Sequence, residues 1–425
     1  MAAPGIGVMR QEGRAGAIKY VLATYSEFSL VALLTLFFTN MVSQQALADS
    51  SIAFIAISYS TFLALGFHNG AIRDGAISAS VEEREDILRL ELYFSAFIAF
   101  VLMTAAVAAH ENFYLMAGLF IGGVNHLKTA CQTVFRLQGM DALLNTLNVA
   151  WASVFFVSFS MLAWLSQQVA LEVRFFGAWG ASAAFVICSF FAFCLISLQA
   201  FRPSVTASRA LFLKVLSSSK YMFLMASGLV VLLTSDRVVL NVLGAAEKVR
   251  ADFQYVDVLT NIYFLGMTSV LYYFTPGLLK RFSGVDSGHQ GAFAAMMTKY
   301  ATYLLGVVIF FALAIVVFLL VIGRFSWELV GVLVSMLTLK TQLICLGFVC
   351  NFYLAQRLEK VLAIAYFGLM VAGLSLSFIY SYLFIGTIVL VFLPLLNALL
   401  VSVLVIYLLK RISAQGMHEE STCIN

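Results

Sequence analysis

A chain of 425 residues that is 62% hydrophobic and only 11% charged is not a soluble domain, in which about a quarter of the residues carry charge. Its mean hydropathy is +0.98, and its apolar runs of about twenty residues are long enough to cross a bilayer as helix. A β-barrel is excluded by the same runs, because barrel strands alternate over about ten residues. The net charge of +4 decides little, since in a membrane protein the placement of charge matters more than its sum.

In chain order, the first nineteen residues are small, polar and basic, with no apolar stretch leading to a cleavage site. No removable signal peptide is expected. Twelve spans follow. The first six are Tyr20–Val42, Ser51–Ile72, Leu90–Ala109, Phe113–Phe135, Leu143–Leu165 and Gly177–Leu198. The second six are Tyr221–Leu243, Phe253–Thr275, Thr302–Ile322, Leu329–Asn351, Val361–Tyr382 and Ile388–Leu409. The last pair is separated by no charge, but 49 uncharged residues lie between Lys360 and Lys410. One helix of that length would reach about 73 Å against a hydrocarbon core of about 30 Å, so a turn near Gly386 is predicted.

Lysine and arginine orient the chain. The N-terminus and the even-numbered loops carry 18 of the 25, the opposite side carries 4 (Arg174, Lys248, Arg250, Arg324), and Lys128, Arg237 and Lys340 fall inside spans. Both termini are therefore expected in the cytoplasm. The longest basic loop divides the spans six and six. An even number per half gives a parallel repeat about the membrane normal, and Leu-Lys-Thr recurs at Leu127–Thr129 and Leu339–Thr341, in equivalent spans. The expected organisation is an all-α integral membrane protein: a cytoplasmic segment 1–19, an N-terminal six-helix lobe 20–198, a cytoplasmic linker 199–220, a C-terminal six-helix lobe 221–411 and a cytoplasmic tail 412–425.

The six cysteines form no metal-like pair, the five histidines are scattered, and no phosphate-binding GxxxxGK[ST] loop or HExxH helix occurs. The loops on the non-cytoplasmic side are short. An enzyme is disfavoured on these grounds, no cofactor or nucleic-acid partner is expected, and a transporter is the better class.

Ionisable groups within spans are costly and mark function by default. Lys340 lies near the middle of span ten, too deep for its side chain to reach an interface, so it is expected to face water or an internal carboxylate. Lys128 lies nearer a span end, where snorkelling is an alternative. Asp236 and Arg237 are helix neighbours pointing about 100° apart. Glu27 either takes up a proton or pairs with Lys128. Asp257 opens span eight near the surface, Glu91 and Glu328 sit at helix ends, and Glu82, Glu83, Glu85 and Asp86 form a solvated loop face. The amides Asn125, Gln132, Asn145, Asn148, Asn241, Gln254, Asn261 and Gln342 suit sugar hydroxyls or helix–helix joints equally.

Three passages carry a resemblance. They are Leu-Ala-Leu-Gly-Phe-His-Asn-Gly-Ala-Ile-Arg-Asp at Leu63–Asp74, the arginine-containing turn within Thr133–Trp151, and Ser235–Asn261. The chain resembles the polysaccharide flippases of the multidrug/oligosaccharidyl-lipid/polysaccharide exporter superfamily, especially bacterial O-antigen translocases. It departs from their usual Gly-Tyr at Ala251–Tyr255. The resemblance implies two six-helix lobes around a central cavity that alternates access. The implied cargo is an undecaprenyl-diphosphate-linked oligosaccharide, carried from the inner to the outer leaflet of the bacterial inner membrane. It implies Lys340, Lys128, Arg237 and Arg136 as donors to the diphosphate, and coupling to a proton or sodium gradient through Glu27, Asp236 or Asp257. The polysaccharide polymerase and chain-length machinery are the implied partners. The main rival is an ion-coupled drug antiporter of the same superfamily, which should bind cations through buried carboxylates. A major-facilitator transporter is opposed by the missing Arg-x-Gly-Arg-Arg after Asp74, and a sugar polymerase by the short loops.

Overall fold

The computed structural model describes residues 13–78, 80–165, 168–199, 208–282, 288–356 and 358–422. The segment up to residue 12 with Arg10, the stretch 200–207 of the predicted linker with Arg202, and Arg357 and Cys423 lie outside them. The described residues form thirteen helices, two 3-10 turns and no strand. Twelve of the helices are long.

The chain divides into two compact units, one of Met1–Ala46 with Ile52–Phe223, the other of Leu47–Ser51 with Leu224–Asn425. In the first lie α1 (Gly13–Met41), most of α2 (Gln44–Ser60), α3 (Phe67–Ile77), α4 (Val81–Ala108), α5 (Phe113–Leu137), α6 (Asp141–Leu165), α7 (Leu171–Ser197) and the start of α8 (Ser208–Val242). The second holds the rest of α8, α9 (Glu247–Phe282), α10 (Gly288–Val321), α11 (Trp327–Ala355), α12 (Glu359–Phe384) and α13 (Leu393–Thr422). Among the described residues, ten helices are long and apolar enough to cross a membrane. The protein is thus an all-α, multi-pass membrane protein. The two long helices outside that ten are α5 and α9, and these carry Lys128 and His126, and Asp257 and Asn261, respectively.

Side-chain caps set several helix starts and move them from the predicted bounds. Ser80 Oγ accepts the Glu83 amide at 3.4 Å, and Glu82 and Glu83 occupy the first turn of α4. An N-cap serine and acidic residues at the positive end of the helix dipole both favour starting there. Glu82, Glu83, Glu85 and Asp86 are therefore the first two turns of α4 and not a loop. Ser326 caps α11 in the same way, accepting from Leu329 at 3.1 Å.

The second span differs most from expectation. It runs over Gln44–Ala64, counting the 3-10 turn Thr61–Ala64, and breaks at Leu65 and Gly66, whose φ values are 47° and 72°. α3 then begins as a separate helix of 11 residues. Gly66 is required there: a Cβ would sit 2.9 Å from both Phe223 N and Ser219 O. The predicted turn near Gly386 is present, with Gly386 at φ 82° between α12 and the 3-10 turn Ile388–Phe392. Helix α8 starts at Ser208, so the second part of the stretch read as a linker is helical, and α13 continues through most of the predicted tail.

Aromatic stacking fills the first unit. Phe38 and Phe175 stack at 4.3 Å, and Phe155, Phe159, Phe176 and Trp179 close around them. In the second, Phe293 packs on Phe352 at 4.6 Å, and Asn397 donates to Ser235 and Ser377, joining α13 to α8 and α12. The outward surface is apolar: Val321, Trp164 and Phe185 are more than 70% exposed, as suits side chains whose solvent is lipid.

Candidate functional site

The second unit contains a buried group of four charges. Lys340, in the middle of α11, donates to Asp257 Oδ1 at 2.9 Å, the Asp257 carbonyl at 3.2 Å, Thr260 Oγ1 at 2.7 Å and Asn261 Oδ1 at 2.8 Å. All four acceptors belong to α9, because residues 257, 260 and 261 share one helical face. Arg237 on α8 reaches the other Asp257 oxygen at 2.7 Å and also donates to the Leu233 carbonyl at 2.8 Å. Asn261 donates to Asp257 at 2.9 Å. Asp236 accepts the Arg237 backbone N–H at 2.8 Å and stands 3.8 Å from its Nε, which makes no hydrogen bond. Asp236, Arg237, Asp257 and Lys340 are all buried. Two cations face two carboxylates, and Asp257 is the hub.

Asp257 is not near the helix start, as its predicted place in span eight implied. α9 begins at Glu247, so Asp257 lies ten residues in, about 15 Å along the axis. Lys340 meets an internal carboxylate, one of its two predicted environments.

The first unit contains a smaller counterpart. Lys128 on α5 pairs with Glu27 on α1, Trp151 Nε1 on α6 donates to the same Glu27 oxygen at 2.8 Å, and the ammonium lies 4.8 Å from the Trp151 ring centre. Cation–π attraction and the ion pair thus act on one lysine. The two Leu-Lys-Thr lysines each meet a carboxylate of their own unit. Arg136 lies in the last turn of α5, eight residues beyond Lys128, and is exposed.

Several of the amides join helices. Gln132 donates to Asn148 at 2.8 Å, linking α5 to α6, and Asn241 donates to Ser51 at 2.9 Å, linking α8 to α2. Gln254 is fully buried on α9 with neither amide atom hydrogen-bonded.

A third group was not legible as a site. His68 on α3, Glu91 on α4 and His126 on α5 converge within the first unit. His68 Nδ1 meets Glu91 Oε1, His68 Nε2 lies 3.3 Å from His126 Nδ1, and His126 Nε2 lies 2.9 Å from the Ser60 carbonyl. Glu91 does not sit at a helix end as expected: it is wholly buried, ten residues into α4, because its helix starts earlier than predicted. The sequence held one signal: Gly118, Gly122 and His126 are spaced by four along α5. A Cβ on Gly118 would stand 2.6 Å from the Ala53 carbonyl, and one on Gly122 2.6 Å from Ser60 Oγ. Small residues on that face let α5 approach α2 closely, and one turn later the approach sets His126 against Ser60.

No family model matches the chain, and no curated protein matches it. Solved structures do. An inward-facing multidrug resistance MATE family transporter of the MOP superfamily aligns over 94% of this chain and 98% of its own, with TM-score 0.70 and 14% identity. An outward-facing conformation of a transporter so described aligns over 97% and 99%, with TM-score 0.66 and 12% identity. The MATE multidrug transporter DinF-BH aligns over 94% of both chains, with TM-score 0.64 and 13% identity. The chain therefore has the fold of these transporters, with twelve long helices in two units.

Proposed function

We propose that the protein is a membrane transporter working by alternating access, and that it exchanges an amphipathic organic molecule for an ion. The observation that carries this reading is the charge balance of the buried groups. Asp236 and Asp257 face Arg237 and Lys340, and Glu27 faces Lys128. Each deep cation that the sequence offered to a diphosphate is taken up by a carboxylate of its own unit. The lysine in the middle of α11 is neutralised by Asp257 and leaves the antiporter reading open. Buried carboxylates are the parts an ion-coupled exchanger uses, and the solved neighbours, described as multidrug transporters, support the same reading.

Among the predicted carriers, Asp236 is the one to take a proton. Asp257 is held by two cations, and Glu27 by Lys128 and Trp151. Asp236 accepts the Arg237 backbone N–H, and among the described residues the cation nearest it is the Arg237 guanidinium at 3.8 Å, which already serves Asp257. Protonating Asp236 would leave the Asp257 triad intact.

A lipid-linked oligosaccharide flippase is the second reading, favoured by the three sequence passages. In it Lys340, Lys128, Arg237 and Arg136 exchange their partners for diphosphate oxygens, as charge-assisted donors. Both readings place the protein in the bacterial inner membrane with cytoplasmic termini, and both make 20–198 and 221–411 the alternating lobes.

Reconstitution into proteoliposomes tests the choice. An imposed pH gradient should drive a lipophilic fluorescent cation across the membrane, and a protonophore should stop it. If the dye stays put while a labelled lipid-linked oligosaccharide crosses, the second reading replaces the first.

A further inference from the structure

We propose that His68, Glu91 and His126 form one proton-binding site in the first unit, distinct from the predicted ion carriers, and that its proton fastens α3 to the helices around it. Three contacts run in series: Glu91 to His68, His68 to His126, and His126 to the Ser60 carbonyl. A hydrogen bond across each contact needs one proton. The carbonyl supplies none, a carboxylate supplies none, and each neutral imidazole supplies one. Two neutral imidazoles therefore leave one contact empty. The chain is complete only with a third proton, whether Glu91, His68 or His126 formally carries it.

With that proton the site is neutral. Without it the site holds one negative charge, and among the described residues the cations of the surrounding helices are engaged elsewhere or exposed. On α4, Arg89 is taken up by Glu85, Asp86 and the Leu198 carbonyl. Lys128 on α5 turns to Glu27, and Lys214 on α8 pairs with Glu83. Lys220 lies over the Tyr221 ring, Asp74 on α3 accepts from Ser218, and Arg73 is exposed. Around the site Phe67, Ala71, Ile87 and Val215 form a buried apolar cluster with Phe94 and Leu90 packed on it. The second Glu91 oxygen is buried with no hydrogen-bond partner. Burying an unpaired carboxylate among apolar groups is costly, so proton loss must break the His68–Glu91 contact or admit water.

α3 is the element free to respond. It has 11 residues, follows the left-handed pair Leu65–Gly66, and carries His68 in its first turn. The ligand is a proton, and the consequence is release of α3 from α4 and α5. Among the described residues no group of His, Cys, Asp and Glu is arranged to hold a metal ion, so a proton is the occupant the geometry favours.

Hydrogen–deuterium exchange on the full protein in lipid nanodiscs tests this without reference to transport. The readout is the protection of residues 67–77, corrected for the intrinsic pH dependence of exchange. Above the titration point, protection should fall about tenfold per pH unit, the slope of one linked proton. Glu91→Gln keeps a donor facing His68 and needs no added proton, so its protection should stay high and flat with pH. His126→Phe leaves one contact, His68 to Glu91, and one imidazole proton to fill it, so its protection should lose the slope as well. A slope unchanged in His126→Phe would overturn the three-residue site. Protection of α3 that is flat with pH in the unmodified protein, or equally sloped in Glu91→Gln, overturns the proposal. Loss of dye transport with the slope intact would count against the transporter reading and leave the proton site standing.

Discussion

Lys340 and Asp257 hold each other twice: the ammonium donates to the Asp257 carboxylate at 2.9 Å and to the same residue's backbone carbonyl at 3.2 Å. One side chain thus fixes both the charge and the backbone of α9 at that turn. Arg237 takes the remaining carboxylate oxygen at 2.7 Å, so Asp257 is shared between α8 and α11 and ties three helices.

Lys340→Ala should lower the amount of folded protein. Breaking a buried pair by removing one partner costs about 3–5 kcal/mol, and Arg237 should hold the loss near the lower figure. Lys340→Ala combined with Asp257→Asn leaves one cation, Arg237, facing one carboxylate, Asp236. Abundance in the membrane and thermal unfolding should both recover in the double variant. A double variant worse than the single one would mean that Asp257 does not depend on Lys340.

Trp151→Phe keeps the ring face over Lys128 and removes the indole N–H that donates to Glu27. A hydrogen bond to a charged group contributes about 1.5–3 kcal/mol. The variant should be destabilised by that amount, and Lys128→Met should cost more, because it strands the Glu27 carboxylate. Denaturation of the purified protein in detergent checks the order.

Gly118→Val drives side-chain carbon toward the Ala53 carbonyl, where even a Cβ would stand at 2.6 Å. Overpacking of this kind costs about 1–3 kcal/mol, and it pushes α5 away from α2, so the His126–Ser60 contact should be lost too. Gly177→Ala, at a position with nothing within 4 Å of the added carbon, is the control and should behave like the unmodified protein.

The coarse fold was legible because membrane solvation writes it into composition: apolar length gives the helices, and lysine and arginine give the alternation. The break at Leu65–Gly66 was hidden because α3 is apolar enough to pass for the end of a span. The depths of Asp257 and Glu91 were misjudged for one shared reason. Charged residues at the start of α4 and α9 were read as loop, whereas acidic first turns and a serine cap extend those helices by up to nine residues beyond the predicted bounds. The candidate charges Lys340, Arg237, Asp236 and Asp257 could be picked out singly, since each is an ionisable group in an apolar run. That they meet depends on how α8, α9 and α11 pack, which no periodicity in the sequence encodes. His68, Glu91 and His126 come from three different helices and were invisible for the same reason.

The orientation set by the lysine and arginine count predicts that reporters fused at Asp49, Glu172, Lys248 and Arg324 report the non-cytoplasmic side. Lys248 and Glu328 pair at 2.6 Å across the starts of α9 and α11, so these two helices should begin on the same side. Opposite signals at Lys248 and Arg324 would break the six-plus-six arrangement.

The central claim is that substrate and proton exchange for one another, with Asp236 as the carrier in the second unit. The direct measurement is proton release on binding. A lipophilic organic cation is added to the purified protein in weakly buffered detergent, and a pH indicator reads the solution. The account predicts stoichiometric release of protons that saturates with the cation and is lost in Asp236→Asn while the variant remains folded. Saturable binding of the cation with no proton release from the unmodified protein, or undiminished release from Asp236→Asn, would contradict it.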